Sequence, residues 1–259
     1  MSFSNPALSN TGYRFLPLIY DRWQQSYGKD FSALILPKLL QTIKAYSIPR
    51  SELLDIACGT GTLAIMMTRT GWDVLGMDIS EGMIREAVEK SGSLHLPVTF
   101  SRRDMRSFSV PNRVGLITCI FDAINHLRNA RDVLQCFRSV HRALRPGGYF
   151  VFDVNNELCY RTVWRQTDAI NNPDFTIILH NSYNAQRREA KSQVTMFLRR
   201  GETFEKKTET VGERYYPPED IEKFLRSSGF QVVESEDFNF SHDPLVGKIK
   251  TWWVAKANT

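Results

Sequence analysis

The sequence predicts an α/β fold: a mostly parallel seven-stranded sheet with helices on both faces, carrying an antiparallel β insert. Three observations carry this reading. From Glu52 onward, short apolar runs alternate with segments of helical period. The first of these runs ends in a glycine turn, Glu52 to Ala64 reading ELLDIACGTGTLA. Beyond residue 155 the alternation stops, and strand-like runs follow one another with only polar turns between them.

The elements follow in order. The first fifty residues are expected to be helical, because Tyr20, Trp23 and Tyr27 fall at helical spacing, as do Leu36, Leu39, Leu40 and Ile43. Leu53, Leu54 and Ile56 read as a buried strand that contains an acid, Asp55, and a helix is expected from Thr62. Trp72 to Ile79 is a second strand, with Ser80 as N-cap of the helix behind it. Val98 to Arg103 is a third, ending near Asp104. Val114 to Phe121 is nearly all apolar, as a central parallel strand buried on both faces should be. Ala130 to Leu144 is helical and stops at Arg145-Pro146-Gly147-Gly148, and Tyr149 to Val154 is the fifth strand.

Phe175 to Leu179, Gln193 to Leu198 and Glu205 to Glu213 then read as antiparallel hairpins. Pro217 and Pro218 open a helix ending at Gly229. Phe230 to Val233 and Thr251 to Ala255 close the sheet. The expected organisation is an N-terminal helical cap (1–50), a core (51–155 and 217–259) and an antiparallel, substrate-capping insert (156–216). An insert of that length is too long for a plain loop.

A chain of 259 residues can bury one substantial core, or one core with an appended lobe. No run of eighteen apolar residues argues for a membrane span. The start, MSFSNPALSNTGYRF, lacks the basic stretch and apolar core of a secretory signal, so a cytoplasmic protein is expected. Cys58, Cys119, Cys136 and Cys159 form no C-x-x-C pair and read as reduced thiols. The formal charge of +5 is scattered, which permits an anionic substrate without demanding nucleic acid.

The spacing Gly59-Thr60-Gly61-Thr62-Leu63-Ala64 also satisfies the dinucleotide fingerprint, so spacing alone leaves the ligand open. Asp55 tips the balance. A diphosphate on the glycine turn would meet a carboxylate on the same strand, whereas a ligand carrying an ammonium and a sulfonium would be attracted.

Four segments in series (DIACGTG, GMDIS, RDM and RPGGYF) resemble the class I S-adenosylmethionine-dependent methyltransferase family over about Ser51 to Val154. The late segment RYYPPEDIEKFLRSSGF is similar to the end of small-molecule members, in which an antiparallel insert after the fifth strand caps the site. The resemblance implies a Rossmann-like fold, S-adenosylmethionine as cofactor, and transfer of a methyl group to nitrogen or oxygen of a small molecule. It further implies that Asp55, Gly59 and Gly61 line the methionine part of the cofactor, that Ala57 is a further cofactor contact, and that Asp78 takes both ribose hydroxyls. Ile79 and Met83 would pack on the adenine or ribose. Asp104 would accept from the adenine amino group, with Met105 beside the ring. Phe121 and Asp122 would face the methyl group and the acceptor, and Tyr20 and Trp23 would close over the cofactor. Tyr20 and Trp23 equally fit the buried stripe of an amphipathic helix.

His126, expected at the carboxyl end of the fourth strand, is the candidate base or acceptor contact, against the alternative of a surface histidine. Tyr183, Tyr215 and Tyr216 are second-line candidates that could equally pack on the sheet. No compact Asp/Glu/His cluster in the sequence argues for a metal. The expected partner is a small-molecule methyl acceptor, with no nucleic acid and no membrane, and a monomer or homodimer. Two other functions fit less of the pattern: an NAD(P)-linked oxidoreductase, and a non-catalytic protein that keeps the fold.

Overall fold

The computed structural model describes residues 13–26, 30–239 and 247–258. Tyr27 lies outside them, so the helical stripe expected at the start is seen at Tyr20 and Trp23 only. The N-terminal region forms a 3-10 turn at Leu16–Leu18, a short helix α1 (Tyr20–Gln25) and a longer α2 (Phe31–Ala45). Asp30 caps α2 by accepting from the Ser32 N–H at 2.7 Å.

The seven-stranded sheet runs in the order β10-β11-β5-β4-β1-β2-β3. Its members are β1 (Glu52–Ile56), β2 (Asp73–Asp78), β3 (Thr99–Arg102), β4 (Val114–Cys119), β5 (Leu144–Asn155), β10 (Phe230–Phe238) and β11 (Lys250–Ala257). The pairings among β1 to β5 are parallel, while β11 joins β5 antiparallel and β10 joins β11 antiparallel. Helices α3 (Thr62–Arg69), α4 (Glu81–Ser93), α5 (Ala130–Ala143) and α7 (Pro218–Ser227) complete the layers. Two buried clusters flank the sheet, one with Phe137, Phe150, Phe152 and Trp253, the other with Leu39, Leu53, Leu116 and Trp252. The chain runs outward from β1 through β2 to β3, then returns to place β4 on the other side of β1. That reversal opens a crevice at the carboxyl ends of β1 and β4.

Four local differences from the sequence expectation stand out. The Arg145-Pro146-Gly147-Gly148 stretch is not a separate turn but the start of β5, where the pairing with β4 shifts between Val114 and Leu116. Gly147 supplies the positive φ of 75° that this irregularity needs. β4 stops at Cys119, and Phe121 and Asp122 form a turn beyond it. A helix, α6 (Glu157–Thr162), follows β5, capped by Asn156. The lobe also has a fourth strand, β6 (Thr167–Asn172), whose polar sequence TDAINN hid it. With β7 (Phe175–Asn184), β8 (Glu189–Arg200) and β9 (Thr203–Arg214) it makes an antiparallel sheet in the order β6-β7-β8-β9.

The N-terminal segment packs on this lobe, with Leu16 and Ile19 against Phe175, Ile177 and Val194. Glu209 of β9 accepts from the N–H groups of Arg14, Phe15 and Leu16 at 2.8, 2.9 and 3.1 Å.

Phe100 of β3 lies across two glycines. A Cβ on Gly76 would meet its ring at 2.4 Å, and one on Gly61 at 2.6 Å. Gly76→Ala is therefore expected to lower stability by about 1–3 kcal/mol, the cost of overpacking, and Phe100→Leu in the same chain to recover part of the loss. Urea unfolding of the single and double variants checks this; an unchanged midpoint for Gly76→Ala would contradict the packing described.

Candidate active site

A cavity of about 860 Å³ occupies the crevice. Its floor is the β1–α3 turn and the ends of β2 and β4; the N-terminal segment and strands β8 and β9 form the opposite wall. Of the residues expected from the sequence, Tyr20, Asp55, Ala57, Gly59, Asp78, Ile79, Met83, Asp104, Met105, Phe121 and His126 line it. Trp23, Gly61 and Asp122 stand behind the wall. Trp23 packs on Tyr20 at 5.6 Å and Phe31 at 6.4 Å between ring centroids. Gly61 is needed for backbone shape (φ 75°) and for Phe100 rather than for lining. Tyr183 and Tyr215 surround Tyr160, and Tyr216 donates to the Leu127 carbonyl inside the core, so all three pack rather than line the cavity.

The glycine turn spends its donors internally. Gly59 N–H donates to Asp78 Oδ2 at 3.0 Å, Gly61 N–H to the Cys58 carbonyl at 2.9 Å, and Cys58 N–H to the Met77 carbonyl at 3.0 Å. A diphosphate would therefore find these three N–H groups taken and two carboxylates, Asp55 and Asp78, in their place. Asp78 is fixed at its second oxygen by Ser80 N–H at 2.8 Å. Each oxygen thus keeps a lone pair for a diol, the arrangement a ribose requires. Burial raises the Asp78 pKa, and the Ser80 and Gly59 N–H groups hold it back.

Asp55 is buried and pairs across the strands with Thr118, whose hydroxyl donates to it at 2.7 Å. Burial pushes its pKa up to about 7, with the Thr118 hydrogen bond opposing. The sequence reading treated this group as a full negative charge; without a cation beside it, the carboxyl is instead poised near neutrality.

Asp104 is the least free of the expected contacts. The Arg106 guanidinium reaches both of its oxygens at 2.6–3.0 Å and also approaches Asp132 at 3.5 Å. The Arg106 pKa is raised, chiefly by Asp104.

His126 sits on a 3-10 turn, Ala123–His126, and not on an exposed helix face. Its Nδ1 lies 3.3 Å from the Gly212 carbonyl, which can only accept, so Nδ1 carries the proton. Nε2 then accepts from the Tyr13 hydroxyl at 3.2 Å. Burial lowers the His126 pKa, the Asp122 charge opposing, and the ring is neutral near pH 7.

Sequence reasoning missed what lies behind His126. Asp122, His126 and Glu213 bring their ligand atoms within 4.8 Å of one another, a trio that could hold a metal ion. The Lys250 ammonium already sits on Asp122 and, at 2.8 Å, on Asp153. Burial and the Asp122 charge push Glu213 well above the usual carboxylate range, and Tyr160 and Asn155 donate to it at 2.8 and 3.0 Å. An acid ending an apolar strand, as in Tyr149 to Asp153, was the available signal for Asp153; Glu213 has none, being one charge in an alternating polar strand.

This is a fold and a crevice of the methyltransferase type, and the comparisons agree. Residues 53–148 match the family described as a methyltransferase domain. YqeM of Bacillus subtilis (strain 168), itself named only provisionally as a methyltransferase, is 29% identical over 217 residues, which cover 83% of this chain and 87% of that protein. An S-adenosylmethionine-dependent methyltransferase from Clostridium acetobutylicum ATCC 824 superposes with a TM-score of 0.78 at 24% identity, over 95% of this chain and 99% of that one. Streptomyces venezuelae DesVI superposes with a TM-score of 0.77 at 20% identity, over 93% and 97%. The fold is thus that of S-adenosylmethionine-dependent methyltransferases, and residues 53–148 are similar to a methyltransferase domain.

Because the Asp55 pKa near 7 exceeds its unfolded value of 3.8, the folded protein holds that proton more tightly than the unfolded chain. This contribution to stability is full below pH 4 and is lost as pH rises through 7. A bound cation prefers the ionised form, so affinity for S-adenosylmethionine should rise between pH 6 and pH 8, and Asp55→Asn should flatten that rise. Calorimetry at three pH values reads it; a wild-type affinity indifferent to pH would contradict the assignment.

Proposed function

We propose that this protein transfers the methyl group of S-adenosylmethionine to nitrogen or oxygen of a small molecule held between the core and the insert of residues 156–216. The observation that supports it most is the Asp78 carboxylate, held by the Gly59 and Ser80 N–H groups beside a glycine turn in which the Cys58, Gly59 and Gly61 N–H groups are already engaged. In this reading Asp78 binds the ribose hydroxyls, Asp55 faces the methionine ammonium, and Ile79, Met83 and Met105 flank the nucleoside. Tyr20 covers the turn, its ring 4.0 Å from where a Gly59 side chain would begin.

S-adenosylmethionine supplies an activated methyl on a sulfonium, and in-line displacement asks the protein chiefly for alignment. His126 Nε2 takes a proton from the acceptor, directly or through the Tyr13 hydroxyl. The acceptor class draws support from relatives. The dTDP-3-amino-3,4,6-trideoxy-alpha-D-glucopyranose N,N-dimethyltransferase of Streptomyces venezuelae is 28% identical over 136 residues, 52% of this chain and 55% of that protein. Arg103, Arg128 and Lys191 line the cavity and, among the described residues, make no ion pair, which suits an acceptor bearing negative charge.

Calorimetry with S-adenosylmethionine and its demethylated product tests the cofactor site. Binding is expected for the wild type and a loss of at least about 100-fold for Asp78→Ala, near 2.7 kcal/mol. No heat with either compound sinks the proposal, and enhanced fluorescence of a reduced nicotinamide would favour the oxidoreductase instead. With an acceptor drawn from an amine and hydroxyl library, His126→Ala should lower kcat by about 10²–10⁴-fold. An unchanged kcat would remove His126 as the base.

A further inference from the structure

The turn after β4 is built in an unfavourable backbone conformation. Phe121 and Asp122 have φ of 66° and 51°, two consecutive non-glycine residues in the left-handed region. Such residues are sterically disfavoured, and they persist only where the surroundings over-determine them. Here the surroundings are specific. Asp153, at 0% exposure on β5, accepts from Phe121 N–H through Oδ1 at 2.6 Å and from Asp122 N–H through Oδ2 at 3.1 Å. Both lobes of one carboxylate thus grip successive N–H groups, which an extended backbone would point in opposite directions.

Lys250 closes the arrangement. It opens β11, pairs in register with Asn155, and sends its ammonium to Asp153 and to the side chain of Asp122. Lys250 is 5% exposed, and a buried cation is tolerated only with such partners. These two ion pairs of Lys250 therefore tie three strand ends (β4, β5 and β11) to the turn that sets Phe121 in the cavity wall. A buried ion pair is poor evidence for stability alone, since an apolar replacement is often as stable. Its position is the informative fact: the pair meets the backbone at the two strained residues next to the cavity.

We propose that Asp153 and Lys250 are positioning residues for methyl transfer, holding the Phe121–Asp122 turn so that the Phe121 ring lies against the transferable methyl. This rests on the methyltransferase reading. Neither residue touches the cofactor; both act through the turn. Loss of either grip lets the turn relax toward ordinary φ and withdraws the ring.

The test uses S-adenosylmethionine carrying a ¹³C-methyl group, bound to the full chain and observed by NMR. An aromatic ring against the methyl shifts its resonance from the position in free solution. In Asp153→Asn and Lys250→Met the bound resonance is expected to move back toward the free position while cofactor affinity changes less than about threefold. A fold-stability role alone would lower the melting temperature and leave the bound resonance in place, and that result overturns the proposal. If the wild type gives no bound resonance, the methyltransferase reading itself fails, a different outcome. Should both variants fail to fold, the wild-type amide spectrum decides. The Phe121 N–H, bonded to a buried carboxylate, should resonate far downfield and exchange slowly; an ordinary, fast-exchanging amide there overturns the grip.

Discussion

Keeping carboxylates out of water at the carboxyl edge of a parallel sheet is the constraint that organises this molecule. Asp55, Asp78 and Asp153 each lie at or near the end of a strand; Asp55 and Asp153 are buried and Asp78 is half-buried. An unpaired buried carboxylate is costly, so each has been given partners of a different kind. Asp55 receives one hydroxyl and stays poised near neutrality, Asp78 receives two backbone N–H groups, and Asp153 receives two N–H groups and an ammonium. The first two keep unused acceptor capacity facing the cavity. The third does not, and its role is to shape backbone.

That division explains how one glycine spacing serves a sulfonium donor here while satisfying a dinucleotide pattern. A phosphate-binding turn leaves its N–H groups pointing at the ligand. This turn folds them back, onto Asp78, Cys58 and Met77, and offers carboxylate oxygen instead of N–H. The selectivity comes from where the hydrogen bonds go, a property that residue spacing does not encode.

The parallel core was legible because most of its strands are short apolar runs ended by turn residues, and because Ser80 is a side chain suited to an N-cap. The lobe was less so. β6 carries no hydrophobic alternation, and the Arg-Pro-Gly-Gly stretch reads as a stop although pairing begins inside it. At the site, Asp55 and Asp78 could be read from their place beside the glycines. Their ionisation could not, since burial depends on what packs around them. Glu213 and Lys250 were hidden because they reach His126 and Asp122 from strands 87 and 128 positions away in sequence (213 − 126 and 250 − 122). Only tertiary contact makes such residues part of the site.

The Glu209 clamp on residues 14–16 has a consequence for how this architecture can be recombined. Three charge-assisted hydrogen bonds bind the leader segment to the lobe, while Asp21 of α1 reaches the core through Thr60 at 2.5 Å and the Lys90 ammonium. The leader is thus a bridge with one foot on each body. A chimera that replaced this lobe would take Glu209 away with it and leave the N–H groups of residues 14–16 without that acceptor.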